Sequence, residues 1–168
     1  MQNRSHTPNP LSPAASVAPL SRLALAYRWG VQRLAALDAL QPLAALLARL
    51  YVAQVFFLAG LTKLRDWETT VFLFTEEYHV PLLPPAWAAV AGTAGELVLP
   101  VLLVLGLGGR LAALGLFVVN AVAVVSLAEL APAAWQQHVL WGTLAAGLAV
   151  YGSGAWSLDR FLARAPRG

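Results

Sequence analysis

The segment that most constrains this chain is residues 42–63, PLAALLARLYVAQVFFLAGLTK. A helix of about 20 mostly apolar residues is long enough to cross the hydrocarbon core of a bilayer. The segment nevertheless carries Arg49, Gln54 and Lys63. Ionisable groups in a spanning helix are costly and usually serve packing or function. We therefore expect the other helices to surround this segment and to provide partners for its charges.

Composition supports a membrane protein. Hydrophobic residues make up 59% of the chain and charged residues 11%, against about 25% charged in soluble domains. A soluble fold of this size would expose too much of that apolar surface to water. The bilayer is thus the predicted partner, and the clustering of basic residues at the two ends does not favour nucleic acid. The chain has no cysteine, which excludes disulfides, thiolate catalysis and iron–sulfur clusters within it.

The pattern divides the chain into four parts. Residues 1–19 are rich in Pro, Ser and Asn and are predicted to be disordered. Residues 20–41 alternate arginines with apolar residues at helical spacing, which favours an amphipathic helix on the membrane surface over a frayed linker helix. Residues 42–160 form the predicted membrane domain, and residues 161–168 form a basic tail.

The predicted fold is all-α: an integral-membrane antiparallel four-helix bundle preceded by the interfacial helix. Short connections between the spans favour antiparallel neighbours. A short interfacial helix is expected around Val71–Phe74 in the first loop. Lysines and arginines concentrate in the two ends and the second turn, so both termini are predicted to be cytoplasmic. The four predicted spans are residues 42–64, 85–105, 110–128 and 137–151.

Four polar residues are predicted to lie near the middle of the membrane: Arg49, Gln54, Glu96 and Asn120. Helical rise places them within a few turns of one another. Arg49 is expected to reach Glu96, whose carboxylate would otherwise be unpaired. Two interpretations remain open. The four residues fix helix packing, or they form a site that handles protons or binds a ligand.

A second group of polar residues is predicted at the outer rim, with Lys63, His79 and His138 as the candidate site. Glu76 and His79 have a spacing that occurs in carboxylate di-iron bundles, but it occurs here once and in a loop, so no metal site is predicted. His138 is either an interfacial histidine bonded to a loop carbonyl, or a functional residue that serves as a proton donor or as a contact for a quinone head group. No catalytic residue can be assigned from the sequence.

These residues resemble the DoxX family of small bacterial membrane proteins. The resemblance covers about residues 45–160. It rests on Arg49-x7-Phe57-x2-Gly60-x2-Lys63-Leu64, Gly95-Glu96, the Leu-Gly turn ending in Arg110, His138-x2-Trp141 and Gly152-Ser-Gly154-x2-Ser157-Leu158-Asp159.

The resemblance implies a four-helix protein of the bacterial inner membrane, in a family named after a quinone-linked oxidase and thiosulfate-oxidising system. It favours an accessory or anchoring subunit of a membrane redox system, with a membrane or periplasmic redox protein as partner and quinone as the candidate cofactor. Two alternatives remain: a quinone-linked oxidoreductase in its own right, which would use the Glu96 layer and His138, and a transporter of small solutes or metals. A homo-oligomer is also left open.

Overall fold

A computed structural model of the chain describes residues 18–152 and 154–164, and in these residues the regular secondary structure is helical, with no strand. This confirms the all-α class. The chain forms two compact units that divide after Leu40. The described part of the first unit consists of helix α1, Ala18–Leu34, and a 3₁₀ helix, Ala35–Leu40. The predicted disorder of residues 1–19 lies almost entirely outside the described residues, and the surface position of α1 stays a prediction.

The second unit contains six helices among its described residues. The spans predicted from the sequence correspond to four of them, within a few residues at each end. The sequence did not predict the last helix, which crosses the expected boundary at residue 160. The helices are α2, Gln41–Arg65; α3, Trp67–Glu76; α4, Pro85–Leu105; α5, Gly109–Ser126; α6, Pro132–Tyr151; and α7, Leu158–Arg164.

Local sequence signals explain where these helices begin and end. The carboxylate of Asp66 accepts a hydrogen bond from the backbone N–H of Thr69 at 3.0 Å, which caps the first turn of α3. Pro85 occupies the first turn of α4, where a missing N–H costs nothing. Gly106 ends α4 in the left-handed conformation, with φ 67°. That conformation is far cheaper for glycine than for any residue with a Cβ.

Among the described residues, three helical segments are long and apolar enough to cross a membrane: Ala24–Arg65, Pro85–Leu105 and Gly109–Ser126, with mean hydropathy 1.8, 2.0 and 1.8. The first contains α2, and the others are α4 and α5. The predicted fourth span lies in α6, which has 20 residues but is not among these three. Large apolar side chains stay exposed on the helices, as expected for surfaces that face lipid. Examples are Trp87, Val98, Leu111, Val125 and Val150.

Helix α2 packs against α4 and α6, and α5 packs against the same two helices. The shared core is apolar and centres on Val52, Phe56, Leu103 and Leu116. Helix α3 packs against α4 and α2. This arrangement brings Arg49 of α2, Glu96 of α4 and Asn120 of α5 into the interior of the second unit, where they need partners.

Candidate functional site

A partly buried ion pair joins α2 and α4. Glu96 retains 8% of its surface exposure, and the ammonium nitrogen of Lys63 lies 2.7 Å from its Oε1 and 2.5 Å from its Oε2. Gly60, one turn before Lys63, lets α2 approach α4 closely. A Cβ at Gly60 would lie 2.9 Å from Cγ of Leu97 and 3.1 Å from Cβ of Glu96. A side chain there would therefore push the two helices apart at the level of the pair.

The ion pair lines a cavity of about 210 Å³. Phe74 of α3 and Tyr78 in the following loop form one side of the cavity, and the centroids of their rings are 4.9 Å apart. The loop is held to α5 because the backbone N–H of His79 donates to the carbonyl of Ser126 at 2.9 Å. The remaining lining is almost entirely apolar and comes from α4, α5 and the loop. It consists of Val80, Leu83, Ala88, Ala91, Gly92, Val118, Val119, Val122, Ala123 and Ser126.

Tyr78 supplies a second polar group to this cavity. Burial, together with the negative charges of Glu77 and Glu96, raises the pKa of Tyr78 above its ordinary value. Its phenol therefore stays protonated at neutral pH and can donate a hydrogen bond. The lining residues Leu83 and Val118 are exposed on their outer sides, so the cavity reaches the protein surface near α4 and α5. It thus combines apolar walls with a protonated phenol and a charge-neutral ion pair.

The predicted pairing of Arg49 with Glu96 is wrong. Arg49 is 1% exposed, and its guanidinium donates to main-chain carbonyls. Nε lies 2.9 Å from the carbonyl oxygen of Leu103, Nη1 lies 2.7 Å from that of Trp156, and Nη2 bonds to that of Val104. The last carbonyls of a helix have no partner within the helix and carry partial negative charge. The C-terminus of α4 therefore supplies two acceptors for Arg49, and Trp156 supplies a third.

Asp159 completes the contacts at this end of the second unit. Its carboxylate accepts from the backbone N–H groups of Gly108 and Gly109 at 2.9 and 3.1 Å, at the start of α5. Its own N–H donates to the carbonyl of Gly106 at 3.0 Å. These backbone hydrogen bonds, with the charge of Arg49, lower the pKa of Asp159. Arg49 and Asp159 thus hold the α4–α5 turn against the segment that follows α6, and we call this group the Arg49 clamp.

The two predicted polar layers are not separate in the structure. Asn120, predicted near mid-membrane, donates from Nδ2 to the carbonyl of His138 at 2.9 Å, and its Oδ1 lies 2.9 Å from Nδ1 of that histidine. Glu96 of the middle layer likewise pairs with Lys63 of the rim. Glu96 and Asn120 therefore each join one residue of the predicted rim, because the helices pack with a register that the depth estimates did not capture.

The other predicted residues do not join these groups. Gln54 is exposed and lines an apolar groove of about 430 Å³ formed by α2 and α4. His79 is exposed, and its Nδ1 lies 3.1 Å from the carbonyl oxygen of Glu77. In the part of the chain that the structure describes, no three His, Asp or Glu residues are grouped closely enough to hold a metal ion.

Sequence reasoning missed two members of these groups. Tyr78 had the properties of an aromatic-belt residue, and only the fold of the loop brings it to the cavity. Asp159 lies in the first turn of the short helix α7, two residues after Ser157. Acidic side chains at the start of a helix often accept hydrogen bonds from backbone N–H groups. The glycine-rich turn between α4 and α5 offers backbone N–H groups that need acceptors, so a search of the sequence for a carboxylate to accept from them could have found Asp159.

A comparison with protein-family models identifies the region that contains the ion pair. The model described as DoxX matches residues 44–129, which include most of α2 and all of α3, α4 and α5. Searches of curated proteins and of solved structures found no match. The match ends before α6, so His138 and the residues that follow it lie beyond the matched region.

Proposed function

The chain belongs to the DoxX family, and from this premise we propose that it is an accessory subunit of a redox system in the bacterial inner membrane, where it binds the head group of a quinone. The observation that carries the proposal is the partly buried Lys63–Glu96 pair, which lines an apolar cavity. A membrane or periplasmic redox protein is the expected partner and would carry out the electron transfer.

The chemistry of the cavity supports a quinone head group. A quinone presents two carbonyl acceptors on a flat, neutral and largely apolar ring. The ammonium group of Lys63 has three N–H donors, of which Glu96 uses two. The third donor and the phenol of Tyr78 match the two carbonyls, and the apolar walls match the ring. Glu96 neutralises Lys63, so the site carries no net charge against an apolar ligand.

We also propose that α2, α4, α5 and α6 form an antiparallel four-helix transmembrane bundle. Helix α6 is not among the three segments that are long and apolar enough to span a membrane, and polar residues such as Gln136 and Gln137 occupy its first turns. Its 20 residues nevertheless extend about 30 Å, which matches the hydrocarbon core. Helix α6 also packs against α5 and α2. The arginines at both ends of the chain favour cytoplasmic termini.

Helix α1 fits a location on the cytoplasmic membrane surface. Arg22 and Arg28 are exposed, as are the apolar side chains of Tyr27, Val31 and Leu34. Helical spacing places those three apolar residues on one face, which could enter the head-group region while the arginines contact anionic lipid. A peptide of residues 18–40 should gain helix with anionic vesicles in circular dichroism. A spectrum that stays unchanged would reject this part of the proposal.

The quinone site can be tested by titrating the purified protein with decylubiquinone and following tryptophan fluorescence. We expect the double variant Lys63→Met/Glu96→Gln to weaken binding at least roughly tenfold, because it removes a charge-assisted donor while leaving no buried charge unpaired. Thr143→Ala is the matched control, since Thr143 is exposed on α6 and does not line the cavity. Equal affinity in parent and double variant would reject the site.

The same preparation separates an accessory subunit from an enzyme. Protein purified in mild detergent is assayed for quinone reduction with thiosulfate as electron donor, alone and with its co-purifying proteins. An accessory subunit binds quinone but shows no turnover alone. Turnover by the isolated chain would instead establish an oxidoreductase in its own right.

A further inference from the structure

The Asn120–His138 pair fixes the hydrogen positions of the histidine. Nδ2 of Asn120 donates to the His138 carbonyl at 2.9 Å, which determines the orientation of the amide. Its Oδ1 therefore faces Nδ1 of His138, at 2.9 Å. A carbonyl oxygen only accepts, so Nδ1 must carry the hydrogen. The neutral ring has one N–H, and Nε2 is consequently a hydrogen-bond acceptor.

His138 presents this ring to an apolar groove. The groove has a volume of about 440 Å³ and is formed by α5 and α6. The indole of Trp141 packs edge-on against the histidine ring with centroids 5.0 Å apart, which holds the ring in place. Val125 and Val139 line the groove and are exposed, so the groove opens to the outer surface. Its other lining residues are Phe117, Asn120, Ala121, Val124, Trp135, Gly142, Thr143 and Ala146.

We infer that this groove binds a lipid-soluble molecule through a hydroxyl group that donates a hydrogen bond to Nε2 of His138. No described residue forms a hydrogen bond with Nε2. An acceptor in apolar surroundings loses free energy when it has no donor, and lipid supplies no water to replace one. The occupant therefore combines a hydroxyl donor with an apolar body. A quinone, which only accepts, does not fit this groove as it fits the Lys63 cavity.

The inference takes from the proposed function only that α5 and α6 lie in the bilayer. It does not depend on quinone binding at Lys63, because the two sites offer opposite hydrogen-bonding groups. The Lys63 cavity presents donors, whereas the His138 groove presents an acceptor. A titration with decylubiquinone in the same preparation reports on the first site separately, so failure of one proposal can be distinguished from failure of the other.

A matched pair of probes tests the groove: 4-octylphenol, and 4-octylanisole, in which a methyl ether replaces the hydroxyl. Binding to the full chain in detergent is followed by quenching of tryptophan fluorescence. We expect the phenol to bind roughly tenfold more tightly, the factor that one hydrogen bond in an apolar site contributes. His138→Phe should abolish that preference, and Lys63→Met/Glu96→Gln should preserve it. Equal binding of the two probes to the parent, or a preference that persists in His138→Phe, would overturn the inference.

A second measurement uses the parent protein alone. In protein labelled with ¹⁵N-histidine, nitrogen NMR should show His138 with hydrogen on Nδ1 and with a bare Nε2. Addition of 4-octylphenol should shift the Nε2 resonance, and addition of 4-octylanisole should not. Hydrogen on Nε2 in the unliganded protein, or no shift with the phenol, would likewise overturn the inference.

Discussion

Arg49 and Lys63 are basic residues of the same helix, 14 residues apart and so separated by about 21 Å along its axis, yet their partners differ in kind. Arg49 contacts three main-chain carbonyls. Lys63 contacts one carboxylate, that of Glu96, at a cavity. The first arrangement joins segments of backbone, and the second places charged groups next to space that a ligand can occupy.

The chemistry of the two side chains explains this difference. A guanidinium is planar, always charged and has five N–H donors, so it can connect several carbonyls at once. An ammonium group is a compact charge with rotatable donors, which can be shared between Glu96 and a ligand. A basic residue in a membrane helix can thus serve the fold or a site, and its partners distinguish the two roles better than its depth.

The largest expected effect tests the structural role of Arg49. Arg49→Met should lower the free energy of unfolding by roughly 3 kcal/mol, because it leaves buried carbonyls without their charged donor. Thermal unfolding in detergent measures the change. Arg65→Met is the control, since Arg65 is exposed at the end of the same helix and should change stability little. Equal effects at the two positions would remove the distinction between Arg49 and other basic residues.

The Lys63–Glu96 pair should show strong coupling in a double-mutant cycle. Lys63→Met and Glu96→Gln should each destabilise the protein by roughly 2 kcal/mol, because each removes one partner of a buried pair. The double variant should recover much of that loss, since neither charge remains. Additive effects in thermal unfolding would mean that the two groups do not interact, and the proposed site would lose its defining feature.

Alanine substitutions at two glycines of the α4–α5 turn test how closely this turn packs against its neighbours in the Arg49 clamp. Gly106→Ala should cost roughly 2 kcal/mol, since φ is 67° and a Cβ would lie 2.5 Å from Cβ of Ser157. Gly108→Ala should cost about 1 kcal/mol, because φ is also positive but nothing lies within 4 Å of the new Cβ. Unfolding midpoints of the two variants compare them directly. An equal loss at both positions would show that the segment after α6 does not pack against the turn.

The smallest expected effect concerns the pH dependence of the clamp. The pKa of Asp159 is lower in the folded protein than in the unfolded chain. The stability that this carboxylate contributes is therefore complete above its unfolded pKa of about 3.9 and is lost as pH falls through the lower folded value. Asp159→Asn should reduce stability near neutral pH and should show a weaker loss below about pH 4 than the parent. Identical acid unfolding curves for parent and variant would contradict this role.

Part of this structure could be predicted from the sequence because the residues that determine it are close together along the chain. Helix α4 was predicted at residues 85–105 and runs from Pro85 to Leu105, because prolines mark its start and Gly106 marks its end. The selection of Arg49, Glu96, Lys63 and His138 as candidate residues also followed from their residue types, since such groups need partners when helices pack.

The interaction partners of these residues could not be predicted in the same way. Helical rise gives depth along one helix but not the register between two, so it did not predict that Lys63 reaches Glu96. The acceptors of Arg49 are main-chain carbonyls. Every residue has one, so the sequence does not indicate which carbonyls Arg49 contacts. Tyr78 enters the cavity only because the loop after α3 is bonded to α5. These features depend on tertiary packing rather than on local pattern.

We propose that the Lys63–Glu96 cavity, and not the larger apolar groove beside Gln54, receives a quinone head group. The most direct measurement is photolabelling of the purified protein with an azidoquinone, followed by mass spectrometry of its peptides. We predict label on the residues that line the cavity, in the segment around Phe74 and Tyr78 or in α5 around Val122, and loss of that label when decylubiquinone competes. Competed label confined to the groove of Leu50, Phe57 and Val104 would contradict the account.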